Sequence, residues 1–160
     1  MYQVRSNDNG YVFETSKGII YEVYFTKLDK FSDYFLHEVG TDDVFYFGIE
    51  RINKKKGGKD IFIKRTIAYI IITFFIENPK AVLLFNYSND NNFINGRRKI
   101  FKMWFDEYAE HSLYQFYQHD YSDKVSICAL YRRHGKDFDK IRNGVKRITM
   151  NIGNDLKIGK

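Results

Sequence analysis

The stretch from Asp60 to Pro79 constrains the fold more than any other part of the chain. Its centre, Ile67 to Ile76, is apolar apart from Thr73. That run is about half of the ~20 apolar residues a bilayer-spanning helix needs, so it predicts a core helix rather than a membrane span. Asp60 is placed to cap the helix, and Asn78-Pro79 ends it. A helix of this length exceeds the usual strand of about 5–6 residues, which argues against reading its Ile and Phe as a strand. Apolar residues lie nearly all round it, so both sides are expected to be covered.

The segments on either side carry strand signals. Tyr11 to Thr15 and Ile19 to Thr26 are rich in β-branched and aromatic residues, and Ser16-Lys17-Gly18 between them supplies a turn with a glycine for a positive φ. In the second of these strands Ile19, Tyr21, Val23 and Phe25 share the face expected to meet the core, with Ile20, Glu22, Tyr24 and Thr26 opposite. Val44 to Ile52 reads as a third strand, after an irregular stretch with a possible short helix at Phe31 to His37. Ala81 to Tyr87 is a compact apolar run and reads as a buried central strand. A second helix is expected over Ile94 to His111, a strand pair over Leu113 to His119 and Val125 to Tyr131, and a last helix over Asp137 to Met150. The fold class is therefore α+β (mixed α/β), with about six strands in the order β-β-β-α-β-α-β-β-α. The sheet is expected to be largely antiparallel with helices packed on it. Residues 1–150 are read as one domain and residues 151–160 as a frayed tail.

With 160 residues, 44% of them hydrophobic and 18% aromatic, the chain has enough material for one core. Abundant Ile, Asn, Lys, Phe and Tyr beside one Pro also fit an AT-rich coding genome, which leaves most aromatics as ordinary core. Cys128 is the only cysteine, so no internal disulfide forms and no cysteine cluster holds zinc or iron-sulfur. Residues 1–10 are polar and lack signal-peptide features. A cytoplasmic, bacterial-type protein without cofactor or metal is the expectation.

Charge is unevenly spread. Residues 1–90 hold 12 Lys and Arg against 12 Asp and Glu, whereas residues 91–160 hold 14 against 8, which accounts for the whole net charge of +6. Two groups stand out. Arg97, Arg98 and Lys99 sit near the expected start of the second helix, where the helix dipole disfavours cations. Lys124 to Met150 carries eight basic and two acidic residues, Arg132, Arg133, Arg142, Lys146 and Arg147 among them. Such a face attracts nucleic acid or an acidic protein, and an ordinary solvated helix face is the alternative.

Catalytic motifs are incomplete. The loop ending Gly58-Lys59-Asp60 lacks the earlier glycine of a phosphate-binding loop, where Asn53 stands, and the hydroxyl residue after the lysine. His111, His119, Asp120, Asp123 and His134 have no recognised metal spacing. His119 and Asp120, if in a strand, point to opposite faces. The element order is compatible with a ribonuclease-H-like arrangement, with Asp90 after the fourth strand, but Glu14, Asp60 and Glu77 are poorly placed to gather metal ions with it. Cys128, in an apolar strand, reads as a buried small residue.

One segment carries a resemblance. A helix from near Thr66 ends at Asn78-Pro79 and leads to the strand Ala81 to Tyr87. A polar Asp-containing loop, the Gly96-Arg97-Arg98 step and the aromatic run Ile100-Phe101-Lys102-Met103-Trp104-Phe105 follow. Thr66 to Phe105 resembles a small uncharacterised bacterial family of the domain-of-unknown-function type, a resemblance that implies no activity.

The first functional expectation is thus a non-enzymatic binding module whose basic surface, from Arg97, Arg98, Arg132, Arg133, Arg142, Lys146 and Arg147, takes nucleic acid or another polyanion. The alternative is a protein-interaction component of a toxin/antitoxin or immunity-type pair. A metal-dependent nuclease is the third.

Overall fold

The computed structural model describes residues 1–28, 44–55, 60–88, 105–108, 113–122, 125–133 and 138–158. Strands β1 (Val4–Asn7), β2 (Gly10–Glu14), β3 (Ile20–Lys27) and β4 (Val44–Arg51) are successive antiparallel neighbours. Helix α1 (Ile61–Glu77) then carries the chain to β5 (Val82–Ser88), which joins β4 in parallel. Strands β6 (Tyr114–Ser122) and β7 (Val125–Arg132) form a hairpin, and helix α2 (Phe138–Ile158) follows. The sheet order is β1-β2-β3-β4-β5-β7-β6, so β7 folds back between β5 and the outer strand β6.

Period-two alternation builds both layers. On β5, Leu83 and Phe85 face α1 while Val82 and Leu84 face α2, and all four are buried. The α1 layer joins Ile67, Ile70, Phe74 and Phe75 to Phe13, Val23, Phe47, Cys128 and Leu130. Tyr21, Val23 and Phe25 of β3 all belong to this layer, as their alternation predicts. In the α2 layer Ile141, Val145 and Ile148 pack on Val44, Val82, Leu84, Ala129 and Tyr131. Fully burying each such aliphatic or aromatic side chain contributes about 1.5–3 kcal/mol.

The turn between β2 and β3 has Gly18 at φ +70, the left-handed conformation its sequence position calls for. Asn53, after β4, donates to the Gly18 carbonyl and accepts from the Ile20 amide, tying that turn to the approach of α1. At Gly48 the missing side chain makes a floor for the Tyr24 ring; a Cβ there would lie 2.1 Å from Tyr24 Cζ.

Asp60 caps α1 by accepting from the Phe62 amide. Tyr2 adds a second restraint. Its hydroxyl donates to Asp60, its backbone amide donates to Thr66 Oγ1, and its ring stacks on Phe13.

Three expectations need correction. There are seven strands among the described residues, not about six, because residues 4–7 form an edge strand. Arg5, Ser6 and Asn7 are exposed, so β1 has no apolar alternation to betray it, and its register comes from the backbone ladder with β2. Helix α1 is covered by the sheet and by residues 105–108, while Phe62, Tyr69, Ile72 and Ile76 are 38–68% exposed. The apolar run is continuous because it satisfies the core on one side and leaves an apolar surface on the other. Helix α2 continues to Ile158 rather than ending near Met150, since nothing after Met150 breaks a helix more strongly than Gly153, at a cost of about 1 kcal/mol. The helix expected at residues 31–37 and most of that expected at residues 94–111 lie outside the described residues; residues 105–108 are helical.

The double role of Asp60 gives a test. Its hydrogen bond from Tyr2, with those from the Phe62 and Ile63 amides, holds its carboxyl below the ordinary value of 3.8. A depressed folded-state pKa stabilises above the unfolded value and is lost as pH falls through the folded one. Asp60→Ala is expected to cost about 1 kcal/mol in urea unfolding at neutral pH. The gap between variant and wild type should narrow below about pH 4. A gap independent of pH would show that the charge of the cap contributes nothing.

Candidate functional site

The basic residues of β7 and α2 separate according to strand and helix geometry. Arg132 and Arg133 are adjacent, and the strand alternation sends them to opposite sides. Arg132 pairs across the hairpin with Tyr114 and lies 5.9 Å over its ring, on the α1 side of the sheet. Arg133 turns toward α2, donating at 2.9 Å to Gln115 Oε1, with its guanidinium carbon 5.7 Å from the centre of the Phe138 ring.

Phe138 is the first residue of α2, and Arg142 is one turn on. A spacing of four residues puts them on the same helix face, and the Arg142 guanidinium lies 5.8 Å from the same ring. Two cations thus rest against one aromatic side chain. Arg142 also pairs with Asp139 at 2.8 Å. A guanidinium has five N–H donors, so among the described residues these single bonds leave most of each fork available. Contact with the ring restricts both side chains and lowers the entropy lost when they grip an anion.

Tyr131 lies behind the ring, at a centroid distance of 6.1 Å from Phe138. It is 1% exposed, and its hydroxyl has no hydrogen-bond partner among the described residues. Burial pushes its pKa up to about 12, with Arg142 and Arg133 opposing the rise, so the hydroxyl is neutral at physiological pH. Lys146, exposed, stands one turn beyond Arg142 on the same side. Among the described residues, Arg133, Arg142 and Lys146 therefore give three cations beside the carboxylate of Asp139. Arg147 is also exposed but sits about 140° round α2 from Arg142. Arg97 and Arg98 lie outside the described residues.

The remaining candidates among the described residues do not meet at one point. His119 and Asp120 are adjacent in β6, where His119 pairs with Ile127 and Asp120 with Ser126 on the opposite face. Asp120 accepts hydrogen bonds from Ser126 and Gln118. Asp60 and Glu77 are at opposite ends of α1, about 24 Å apart by helix rise. Among the described residues, no three His, Cys, Asp or Glu side chains gather to hold a metal. Asp90, His111, Asp123, His134, Gly58 and Lys59 lie outside them. Cys128 is fully buried, opposite Phe85 in the ladder. No helix among the described residues is long and apolar enough to cross a membrane.

A cavity of about 50 Å³ lies between α1, residues 105–108 and the sheet, lined by Ile67, Ile71, Phe85, Phe105, Tyr108 and Phe116 among others. It falls well short of the roughly 300–1,000 Å³ of small-molecule pockets.

Sequence reasoning named the arginines but not what arranges them. Phe138 followed four residues later by Arg142 was a readable signal. Gln115 and Tyr131 were not, because their proximity depends on the β6–β7 register.

No protein-family model matches the chain, and no curated protein sequence matches it.

Removing the unpartnered hydroxyl tests this description. A buried donor without an acceptor costs about 1–3 kcal/mol, so Tyr131→Phe is expected to leave stability unchanged or raise it by about 1 kcal/mol. Equilibrium denaturation reads the difference. A clear loss would mean that the hydroxyl is bonded in solution.

Proposed function

We propose that the chain is a non-enzymatic binding module that takes the phosphate backbone of nucleic acid, or a similar polyanion, on the surface formed by Arg133, Arg142 and Lys146. The observation that carries this reading is the pair of guanidiniums resting on Phe138. They are partly pre-ordered, each has a single hydrogen bond or ion pair among the described residues, and they come from the end of β7 and from α2. A solvated helix face needs no such convergence. Arg132 and Arg147 point elsewhere and contribute to the field rather than to this grip, while Arg97 and Arg98 are candidate additional contacts. Recognition of this kind reads charge and spacing rather than sequence, because no base-reading element is part of it.

A second reading, a protein-interaction role in a toxin/antitoxin or immunity-type pair, is favoured by the apolar outer side of α1. It predicts a stoichiometric protein partner that nuclease treatment does not remove. Membership of a small uncharacterised bacterial family, suggested by residues 66–105, and residence in the cytoplasm fit either reading.

Fluorescence anisotropy with mixed-sequence DNA and RNA across a salt series decides the first reading. Three phosphate contacts predict that log K falls against log salt with a slope of about −2 to −3. Arg133→Ala with Arg142→Ala should reduce the slope by about 2 while leaving Tm nearly unchanged. No binding at low salt, or a slope insensitive to the double substitution, would overturn the reading.

A further inference from the structure

We infer that the cavity between α1, residues 105–108 and the sheet binds a small neutral molecule: an apolar body of at most about four heavy atoms with one oxygen that accepts from the Tyr108 hydroxyl. Two observations coincide there. The cavity has a volume of about 50 Å³, and Tyr108, part of its wall, carries a buried hydroxyl with no hydrogen-bond partner among the described residues. Folded interiors leave few voids larger than a water molecule, and their buried polar groups are ordinarily bonded. A void and an unused donor in one place fit a ligand that fills the first and bonds the second.

The walls are held from several sides. Ile67 of α1, Phe85 of β5 and Leu130 of β7 are 2–6% exposed and belong to one buried layer. The Phe105 ring lies 5.5 Å from that of Phe116 in β6, and Phe116 lies 6.1 Å from Phe85. Glu107, beside Tyr108 in the chain, reaches Lys64 of α1 at 3.9 Å. Residues 105–108 are thus tied to the sheet and to the helix, and closing the cavity would disturb both sets of contacts. Ile72 lines the cavity and is 38% exposed, so its part of the wall reaches the surface and marks the way in.

The chemistry of the walls selects the ligand. Among the lining side chains only Tyr108 and Tyr114 carry a polar atom. A buried water is typically held by about three hydrogen bonds, which two phenols among hydrocarbon side chains match poorly. No charged side chain lines the cavity, so an ionised ligand would lose its hydration without a counter-charge. An apolar cavity of about 150 Å³ takes benzene, so a third of that volume suits about two to four heavy atoms. Short ketones and aldehydes meet these limits, and drug-sized ligands do not. The site lies in the α1 layer and is independent of the polyanion reading, which concerns the α2 side.

Methyl-resolved NMR of the full chain, titrated with acetone and with isobutene, tests the inference. The two probes have nearly the same size and shape, and only acetone has the acceptor oxygen. Both should give saturable shifts at Ile67, Ile71 and Leu130 in the wild type. Tyr108→Phe should weaken acetone by about five- to tenfold and change isobutene by less than about twofold, which also verifies that the variant keeps the cavity. Ala68→Leu, on the cavity wall, should fill the space and abolish both titrations with Tm maintained or raised. Absence of saturable shifts in the wild type overturns the inference. So does isobutene binding without acetone binding, an acetone affinity indifferent to Tyr108→Phe, or binding that a folded Ala68→Leu variant retains.

Discussion

The structure depends on β5 being buried from both sides at once. Val82 and Leu84 hold α2 while Leu83 and Phe85 hold α1, so one four-residue run serves two hydrophobic layers. A strand in this position has to be central, and it is: β4 lies beside it in parallel and β7 in antiparallel orientation. The parallel junction requires a crossover, which α1 supplies. The other junctions in the sheet are antiparallel and need no covering element between their strands. Lengthening or breaking the run from Val82 to Phe85 would therefore detach both layers, whereas changes at the exposed residues of β1 affect only the margin.

What was legible in the sequence follows from this division of labour. Where burial itself sets the pattern, the residues announced their roles: the cap at Asp60, the stop at Asn78-Pro79, the turn glycine Gly18, the core face of β3 and the central place of β5. Where something other than burial decides, they did not. Strand β1 is held by backbone pairing and by Tyr2, whose contacts with Asp60 and Thr66 span 58 and 64 residues of chain and leave no local trace. The outer face of α1 failed for the opposite reason. Composition alone cannot tell an apolar face that is covered from one that is open.

The basic surface shows the same limit. Net charge pointed to this part of the chain and treated Arg132, Arg133, Arg142, Lys146 and Arg147 as one patch. Alternation in β7 sends Arg132 to the far side of the sheet, and helical rotation takes Arg147 away from Arg142. Convergence on Phe138 comes from the place where β7 ends and α2 begins, a tertiary fact. The sequence-level patch of charge is thereby reduced to three cations with a defined geometry. Their energetic value lies in restricted side chains rather than in the number of charges.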